Sequence, residues 1–397
     1  MNSKLLQQLP TIDDCRARAR RRLPRFLFDF LDGGTDGERA PTRNTSAFSD
    51  VLLPARVGRS VDHPDLSVEL FGRQWALPFG VSPCGYVDLV DPGTEVETAR
   101  AAEARGAPFI LSMSSLATLE ECAAVAPNST WMQVVQSRNP DIVLDIIRRA
   151  GESGIKVLVV TMDVPKSSKR NRDLRNGFTL PLKPSLRLLW DLMRSPSWVA
   201  STLKRPRPLP GNFMPYIPKG ASVAGAAARL EHEADYITTW EDFASFRAAW
   251  SGQIVAKGIQ TPDDAARAVE LGADGIIVSN HGGRQFDAAR PTISCLPAIV
   301  DRVQGAVPVM LDSGVRSGLD VLRAITLGAP MVFSGRAFYY AAGAIGRYGS
   351  AHAFDILQLE LEIAMRQYGT ATVSEVCQSQ RPNVEPVATS TYTYPSE

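Results

Sequence analysis

Short apolar stretches alternate with longer amphipathic stretches along most of the chain. A buried parallel strand is a short run of apolar, often β-branched residues, whereas a surface helix repeats its apolar positions about every 3.6 residues. From about residue 76 onward the pattern therefore predicts strands that are separated by helices. The predicted strands occupy residues 77–81, 108–112, 131–135, 157–162, 254–256, 275–278, 307–311 and 331–333.

Eight strands that alternate with helices predict the α/β class and a closed parallel (β/α)8 TIM barrel. A helical lead-in, residues 1–75, precedes the barrel, with one helix that starts at Thr11 and a second that stops at Gly33-Gly34. We expect residues 1–380 to form a single domain. The helices predicted inside the barrel include 94–105, 140–151, 262–271 and 318–327.

The alternation is interrupted after the fourth strand, where residues 178–237 form an insertion too long for one crossover helix. Its segment 183–219 carries mostly positive charges and two tryptophans. Such a segment can contact a membrane surface, fold over the active site or form a subunit contact. Residues 381–397 are rich in Pro, Ser and Thr, and we expect them to be a disordered tail.

Composition and charge narrow the class of protein. The chain has 397 residues and a formal net charge of +1, so its bulk charge predicts no binding of nucleic acid. Its five cysteines are scattered without Cys-x-x-Cys spacing, so neither a zinc site nor a disulfide framework is expected. The sequence shows no signal peptide and no apolar run of about 20 residues, and we expect a cytoplasmic protein.

Polar residues stand at or just after the ends of nearly all the predicted strands. The carboxyl ends of the strands of a closed parallel barrel meet at one rim, where barrel enzymes bind their ligands. Polar groups in this common register favour a shared ligand pocket over chance. They are Ser82, Ser114, Gln133, Thr161, Asp163, Lys257, His281, Asp312 and Arg336.

The loop after the sixth strand carries the strongest candidate chemistry. His281 is followed by two glycines and Arg284, and it is the only one of the four histidines at the end of a predicted strand. A histidine can remove a proton near neutral pH, and an arginine can hold a carboxylate by two hydrogen bonds. This pair suits proton removal from a small acid. A hydrogen-bonded loop histidine beside a surface arginine is the alternative.

The loops after the seventh and eighth strands predict a phosphate site. In many barrels these two loops bind phosphate through backbone N–H groups and a helix N-terminus. Two arginines in the loops can add charge-assisted hydrogen bonds. The arrangement indicates a phosphorylated ligand and does not by itself specify a flavin. The residues concerned are Asp312, Ser313, Gly314, Arg316, Gly335 and Arg336.

Two stretches resemble a known family. Ser-Asn-His-Gly-Gly-Arg-Gln at 279–285 resembles the signature of the FMN-dependent α-hydroxy acid dehydrogenases and oxidases, and the order of residues 23–34 resembles their N-terminal segment. The resemblance implies FMN as cofactor and His281 as the base, with Asp163 bonded to it. It implies that Lys257 stabilises reduced flavin and that Arg284 and Arg170 bind the substrate carboxylate.

The resemblance also implies that the flavin ring is contacted by Ser82, Ser114, Gln133, Thr161 and Ser279. Three of the roles have structural alternatives. Asp163 can instead cap a helix, and Lys257 can instead be paired with Asp163 or Asp312. Arg170 lies among other basic residues and can belong to a solvated loop.

The chain departs from the family pattern at the substrate site. Phe30 and Val135 stand where many members have tyrosine, and Leu116 stands where several have tryptophan. These changes make the expected pocket more apolar, and we therefore predict an α-hydroxy acid that is larger or less polar than glycolate.

The resulting hypothesis is the FMN-dependent oxidation of an α-hydroxy acid to the 2-oxo acid, by a hydride or a carbanion route. Oxygen, a quinone or another acceptor would receive the electrons. Peripheral contact with the inner membrane face through 183–219, and a homotetramer, are further expectations from the resemblance. The alternatives are the flavin-dependent dehydrogenation of a different substrate, such as one with a C–N bond, or a flavin-binding protein that has lost its activity.

Overall fold

The structure is a computed structural model, and it describes residues 3–166, 168–178, 184–203, 209–234 and 236–378. The predicted tail 381–397 and part of the basic segment 183–219 lie outside these residues. The strands are β1 Val68–Leu70, β2 Arg73–Trp75, β3 Phe79–Val81, β4 Phe109–Ser112, β5 Thr130–Val134, β6 Val157–Thr161, β7 Gln253–Ile259, β8 Gly275–Val278, β9 Val309–Leu311 and β10 Val332–Ser334.

Helices surround the strands and precede them in the lead-in. They are α1 Ser3–Gln8, α2 Ile12–Arg22, α3 Arg25–Asp32, α4 Arg39–Ser46, α5 Thr94–Glu103, α6 Leu119–Val125, α7 Pro140–Glu152, α8 Asn171–Asn176, α9 Leu186–Met193, α10 Pro196–Thr202, α11 Val223–Ala234, α12 Trp240–Ala249, α13 Pro262–Glu270, α14 Thr292–Val303, α15 Gly318–Thr326, α16 Arg336–Ile345, α17 Gly349–Tyr368 and α18 Val373–Gln378.

Strands β3 to β10 of the described chain form a closed barrel in which neighbouring strands are parallel. The ring closes at β10, because Val332 pairs both with Phe79 of β3 and with Leu311 of β9. The predicted (β/α)8 class is confirmed, and every predicted strand overlaps one strand of the barrel. The largest difference is in β7, which is longer than predicted, so that Lys257 lies within the strand.

A hairpin that the sequence pattern did not predict covers the amino-terminal end of the barrel. Strands β1 and β2 pair antiparallel, and Trp75 meets Trp131 of the barrel interior edge to face, with 6.0 Å between the ring centroids. Phe71 at the turn lies so close to β8 that a Cβ on Gly275 would be 2.8 Å from its ring. The buried side chains of Leu70 and Trp75 fill this end, and the opposite end is left for polar chemistry.

The lead-in helices pack against the outside of the barrel and then cross its carboxyl-terminal rim. Helix α2 begins with a capping box at Thr11, as the sequence predicts, and buries Ile12, Cys15 and Ala19. A Cβ on Gly343 of α16 would lie 2.9 Å from the Cβ of Ala19, so this glycine lets the two helices approach closely. Helix α4, which the sequence pattern did not predict, follows α3 at the rim.

Helix α8 follows β6 ahead of the predicted insertion 178–237, whose described part includes α9 to α11, and α12 then returns the chain to β7. Helix α10 is anchored, because Trp198 is buried, donates to the carbonyl of Leu89 at 2.8 Å and meets Phe26 edge to face. Helix α9 is amphipathic and leaves several large apolar side chains exposed. The exposed side chains are Leu186, Leu189, Trp190 and Met193. Across the described ranges, no helix combines the length and apolar character that crossing a membrane requires.

Candidate active site at the barrel rim

The structure brings most of the predicted polar residues together at the carboxyl-terminal rim. The amide of Gln133 donates to the hydroxyl of Thr161 at 3.0 Å, which joins β5 to β6. The hydroxyl of Ser82, which follows β3, donates to the Asp312 carboxylate after β9 at 3.0 Å. The rim therefore carries hydrogen bonds between strands on several sides of the barrel.

Lys257 is a buried cation at this rim. Its ammonium group donates to the Ser279 hydroxyl at 2.8 Å and lies 3.1 Å from the Asp312 carboxylate. Burial alone would lower the pKa of Lys257, but the charges of Asp312 and Asp163 raise it above its ordinary value. Lys257 therefore stays protonated, and the ion pair with Asp312 that the sequence left open is present.

The candidate base is paired as the resemblance implies. Nδ1 of His281 lies 3.2 Å from a carboxylate oxygen of Asp163, whose side chain is only 7% exposed and lies close to Gly258. Burial would raise the pKa of Asp163, but the charge and hydrogen bond of His281, together with Lys257, lower it overall. A proton on Nδ1 held by this carboxylate leaves Nε2 as the nitrogen that can accept a proton.

The backbone at the candidate base is strained. His281 has a φ of 57°, and Gly282 and Gly283 continue in the left-handed region at 65° and 73°. For a residue with a side chain this conformation costs roughly 1–2 kcal/mol, so neighbouring contacts must maintain it. One such contact is the hydroxyl of Ser313, which accepts the N–H of Gly282 at 2.9 Å.

Two arginines tie the lead-in to the rim. The guanidinium of Arg284 donates to the carbonyls of Phe30 and Gly33, and that of Arg336 donates to the carbonyls of Leu31, Gly33 and Gly282. The carbonyls of Phe30, Leu31 and Gly33 lie at the carboxyl-terminal end of α3, where a helix leaves acceptors unpaired and favours positive charge. The end of α3 is therefore fixed over the barrel mouth.

The rim holds more positive charge than its own acids neutralise. Burial, and then the charges of Arg170 and Arg336, lower the pKa of Arg284 well below its ordinary value. Burial also lowers the pKa of Arg316, with a further contribution from Arg336. Arginine nevertheless remains protonated in proteins, so this charge is held at a free-energy cost that a bound anion would remove.

Two atoms at the rim have no hydrogen-bond partner within the described ranges, namely Nε of Arg170 and the second carboxylate oxygen of Asp163. Buried polar atoms of this kind are usually satisfied by a ligand or water. The cationic cluster and these two atoms together fit a ligand that has anionic groups and hydrogen-bonding groups.

The predicted phosphate loops have the backbone that such a site requires. Ser313 and Gly314 adopt φ values of 74° and 97°, and a Cβ on Gly314 would lie 2.2 Å from the carbonyl oxygen of Asn44. Gly335 immediately precedes α16, and a Cβ there would lie 2.7 Å from the sulfur of Cys84. The amino-terminal N–H groups of α16 thus begin at the rim, where a helix favours an anion.

An aromatic wall stands beside the arginines. The guanidinium of Arg284 lies 5.2 Å from the ring centroid of Phe30, and that of Arg170 lies 5.9 Å from it. The ring of Phe178, from the insertion, lies 4.8 Å from the Phe30 ring. Phe30 therefore contacts both predicted carboxylate-binding arginines through its ring face, an arrangement that stabilises cations.

The remaining predicted residues lie in neighbouring loops. Ser114 follows β4, and its carbonyl accepts the N–H of Tyr86. Val135 is the residue after β5, half-buried, with its N–H directed to the sulfur of Met113.

A cavity of about 1480 Å³ lies away from the mouth, between the lead-in and the insertion, and arginines including Arg16 and Arg187 line it.

The fold and the rim define a barrel enzyme for a phosphorylated cofactor and a small acidic substrate. The chain belongs to the FMN-dependent dehydrogenase family, whose model matches residues 19–381. The family predicted from the two motifs is therefore confirmed, and with it FMN as the cofactor and the assignment of the chain as an oxidoreductase.

The chain is similar to named enzymes over most of its length. It is 40% identical to an L-lactate dehydrogenase of Stenotrophomonas maltophilia (strain R551-3) over 365 residues, which is 91% of this chain and 96% of the relative. An L-lactate dehydrogenase of Vibrio cholerae serotype O1 (strain M66-2) is 38% identical over the same length.

Solved structures agree with this assignment. The monotopic membrane protein (S)-mandelate dehydrogenase superposes with a TM-score of 0.88 at 30% identity, over 92% of this chain and 97% of that chain. A mandelate oxidase superposes with a TM-score of 0.79 at 35% identity, over 93% and 97% of the two chains.

Sequence reasoning missed several residues near the site. In the sequence, Phe178 stands out only as the first residue of the predicted insertion, and Asn44 lies in α4, which the pattern does not predict. Both become relevant only through contacts with residues far away in the chain, Phe30 and Asn280. A local pattern of apolar and polar positions carries no signal for such contacts.

Substitutions of Lys257 and Asp312 test whether their ion pair stabilises the fold. Because breaking a buried ion pair leaves an uncompensated charge, Lys257→Met should lower the free energy of unfolding by about 3 kcal/mol. Adding Asp312→Asn should restore most of that stability but not normal FMN content. Urea denaturation and the flavin-to-protein absorbance ratio measure the two effects. A Lys257→Met variant as stable as the parent would contradict this interpretation.

Proposed function

We propose that this protein uses FMN to oxidise an α-hydroxy acid, larger or less polar than glycolate, to the corresponding 2-oxo acid. The observation that carries the proposal is the His281–Asp163 pair at 3.2 Å beside buried arginines. The names of the relatives, lactate and mandelate enzymes, support the substrate class.

In this proposal the substrate carboxylate is held by Arg284 and Arg170, whose burial lowers the pKa of both groups and makes an anion favourable there. Bidentate hydrogen bonds from a guanidinium also fix the orientation of a carboxylate. The α-carbon and its hydroxyl group are thereby positioned near His281.

Proton transfer is assigned to Nε2 of His281. Asp163 orients the imidazole ring and stabilises its protonated form. Bound FMN supplies the acceptor for the two electrons that leave the substrate. His281 takes the hydroxyl proton in a hydride route or the α-proton in a carbanion route, and the same residue pair serves both.

The cofactor residues are proposed in two groups. Lys257 would supply a fixed positive charge to stabilise the negative charge that develops on a flavin ring on reduction. The phosphate and ribityl chain would be held by Asp312, Ser313, Gly314, Arg316, Gly335 and Arg336. The residues proposed to contact the ring, besides Lys257, are Ser82, Ser114, Gln133, Thr161 and Ser279.

The substrate preference is inferred from side chains without hydroxyl groups. Phe30 and Val135 offer apolar surface, and the ring of Phe178 extends the wall that Phe30 begins. An apolar substituent on the substrate would be favoured because its burial removes apolar surface from water. Family membership does not favour C–N dehydrogenation, and the intact His281–Asp163 pair argues against a protein that has lost its activity.

The experiment that tests the function is anaerobic. Addition of 2-hydroxy acids, from glycolate through L-lactate to (S)-mandelate, should bleach the visible absorbance of the bound flavin, fastest with the apolar members. His281→Asn is the control, since it should retain the flavin spectrum but lose at least about 100-fold in bleaching rate. An intact flavin that none of these acids reduces would contradict the proposal.

Restoring the missing hydroxyl groups tests the substrate preference. Phe30→Tyr with Val135→Tyr should raise kcat/KM for glycolate about tenfold, because a hydrogen bond to a charged group contributes about 1.5–3 kcal/mol. Phe28→Tyr in the same helix is the matched control and should have no effect on glycolate. Steady-state kinetics measure the outcome, and a double variant without any gain would count against the preference.

We also propose that the exposed apolar side of α9 contacts a membrane. A quinone in that membrane would receive the electrons from the reduced flavin. Leu186 is 88% exposed and Trp190 is 57% exposed, and basic residues such as Arg187 and Arg194 adjoin them. Apolar and aromatic side chains with a basic rim suit an anionic bilayer surface. One similar structure, that of (S)-mandelate dehydrogenase, is of a monotopic membrane protein. The tetramer and the cytoplasmic location stay predictions.

Sedimentation with phosphatidylglycerol vesicles tests the membrane contact. Leu189→Glu with Trp190→Glu should reduce vesicle binding at least tenfold, because each side chain contributes about 1.5–3 kcal/mol when fully buried in an apolar phase. Val57→Glu, at another exposed apolar position, is the control and should bind as the parent does. Equal binding by the double variant and the parent would refute the role of α9.

A further inference from the structure

The loop that carries His281 is held from the side by a helix of the lead-in. Helix α4 lies directly against it: a Cβ on Gly283 would be 2.5 Å from the nitrogen of Pro41. The N–H of Ala40 donates to the Asp287 carboxylate at 2.8 Å, which fixes the start of α4 to the end of the same loop. Helix α4 is thus a firm support for the loop.

A pair of buried amides joins this helix to the loop. The side-chain N–H of Asn44 donates to the side-chain oxygen of Asn280 at 2.7 Å, and the reverse hydrogen bond has the same length. Both side chains are almost completely buried, at 2% and 1% exposure. Asn280 is the residue immediately before His281.

The amide of Asn280 also organises the backbone beyond His281. Its oxygen accepts the N–H of Gly283 at 3.1 Å, and its nitrogen donates to the carbonyl of Arg290 at 3.0 Å. These two backbone groups fix which end of the amide is oxygen and which is nitrogen. The orientation of the Asn44 amide follows, because it must present a donor to the oxygen and an acceptor to the nitrogen.

We propose that Asn44 is a positioning residue for His281. Asn44 locks the Asn280 amide, this amide maintains the run of left-handed residues at His281 to Gly283, and that backbone sets the imidazole against Asp163. The inference rests on the proposed function only in taking His281 as the proton acceptor.

The chemistry of the position is specific to an amide. Alanine would leave one donor and one acceptor of Asn280 buried without partners, and the loop would then be free to relax from its strained conformation. An ionised carboxylate would accept from the Asn280 nitrogen but would face the Asn280 oxygen without a proton. A protonated carboxyl group would restore both hydrogen bonds.

The first test is Asn44→Ala, assayed with (S)-mandelate and dichlorophenolindophenol as electron acceptor. We expect kcat to fall about 10- to 100-fold, the loss typical of a misplaced catalytic group, while KM changes less than about threefold. Thr45→Ala is the matched control, because its hydroxyl bonds only to carbonyls of its own helix in the described contacts. Equal kcat values for Asn44→Ala and the parent would overturn the proposal, as would an equal loss in the control.

The second test uses the nearly isosteric Asn44→Asp and the pH profile. Because only the protonated carboxyl group can donate to Asn280, the ratio of variant to parent kcat should rise as pH falls from about 8 to about 5.5. Taking the ratio removes any pH dependence that the two proteins share. A ratio independent of pH would indicate a purely structural role and overturn the proposal. This variant also serves if Asn44→Ala does not fold.

Hydrogen exchange separates this inference from the proposed function. In Asn44→Ala, peptides covering residues 279–290 should exchange at least tenfold faster, with peptides of α7 and α15 unchanged. If the parent does not oxidise (S)-mandelate, that result counts against the proposed substrate. Faster exchange confined to residues 279–290 would still show that Asn44 stabilises the loop. Unchanged exchange at 279–290 would overturn it.

Discussion

The buried positive charge at the barrel mouth is the constraint on which the rest of the site depends. Burial lowers the pKa of both Arg284 and Arg170, and the charge of Arg170 lowers that of Arg284 further. A fold can tolerate such a cluster only if helix ends, carboxylates and ligands share the charge among them. The polypeptide itself balances part of this charge, through the ion pair of Lys257 with Asp312 and through the carbonyls at the end of α3.

The lead-in is thereby more than a covering for the barrel. Helix α3 supplies carbonyls to two rim arginines and places the Phe30 ring against two guanidinium groups. Helix α4 supports the loop of the candidate base. Residues within the first fifty of the chain and residues beyond 280 are therefore joined at the rim by hydrogen bonds.

Much of this could be predicted from the sequence, and the reason is local. Barrel strands such as β6 are continuous apolar runs, and His281 follows its strand within three residues, so both features appear in any short window. The β1–β2 hairpin and α4 were missed because their strands and turns are short and their stability comes from distant partners. The Asn44–Asn280 pair spans 236 positions, and no periodicity connects them.

The hairpin at the amino-terminal end of the barrel affects how substrate and electron acceptor can reach the cofactor site. Within the described residues, Trp75 and Phe71 pack against Trp131 in the barrel interior and cover that end. A substrate, its product and an electron acceptor that must touch the same cofactor would then share one entrance. Entry of the second reactant would have to wait for the first product to leave, which is the order of events in a double-displacement enzyme.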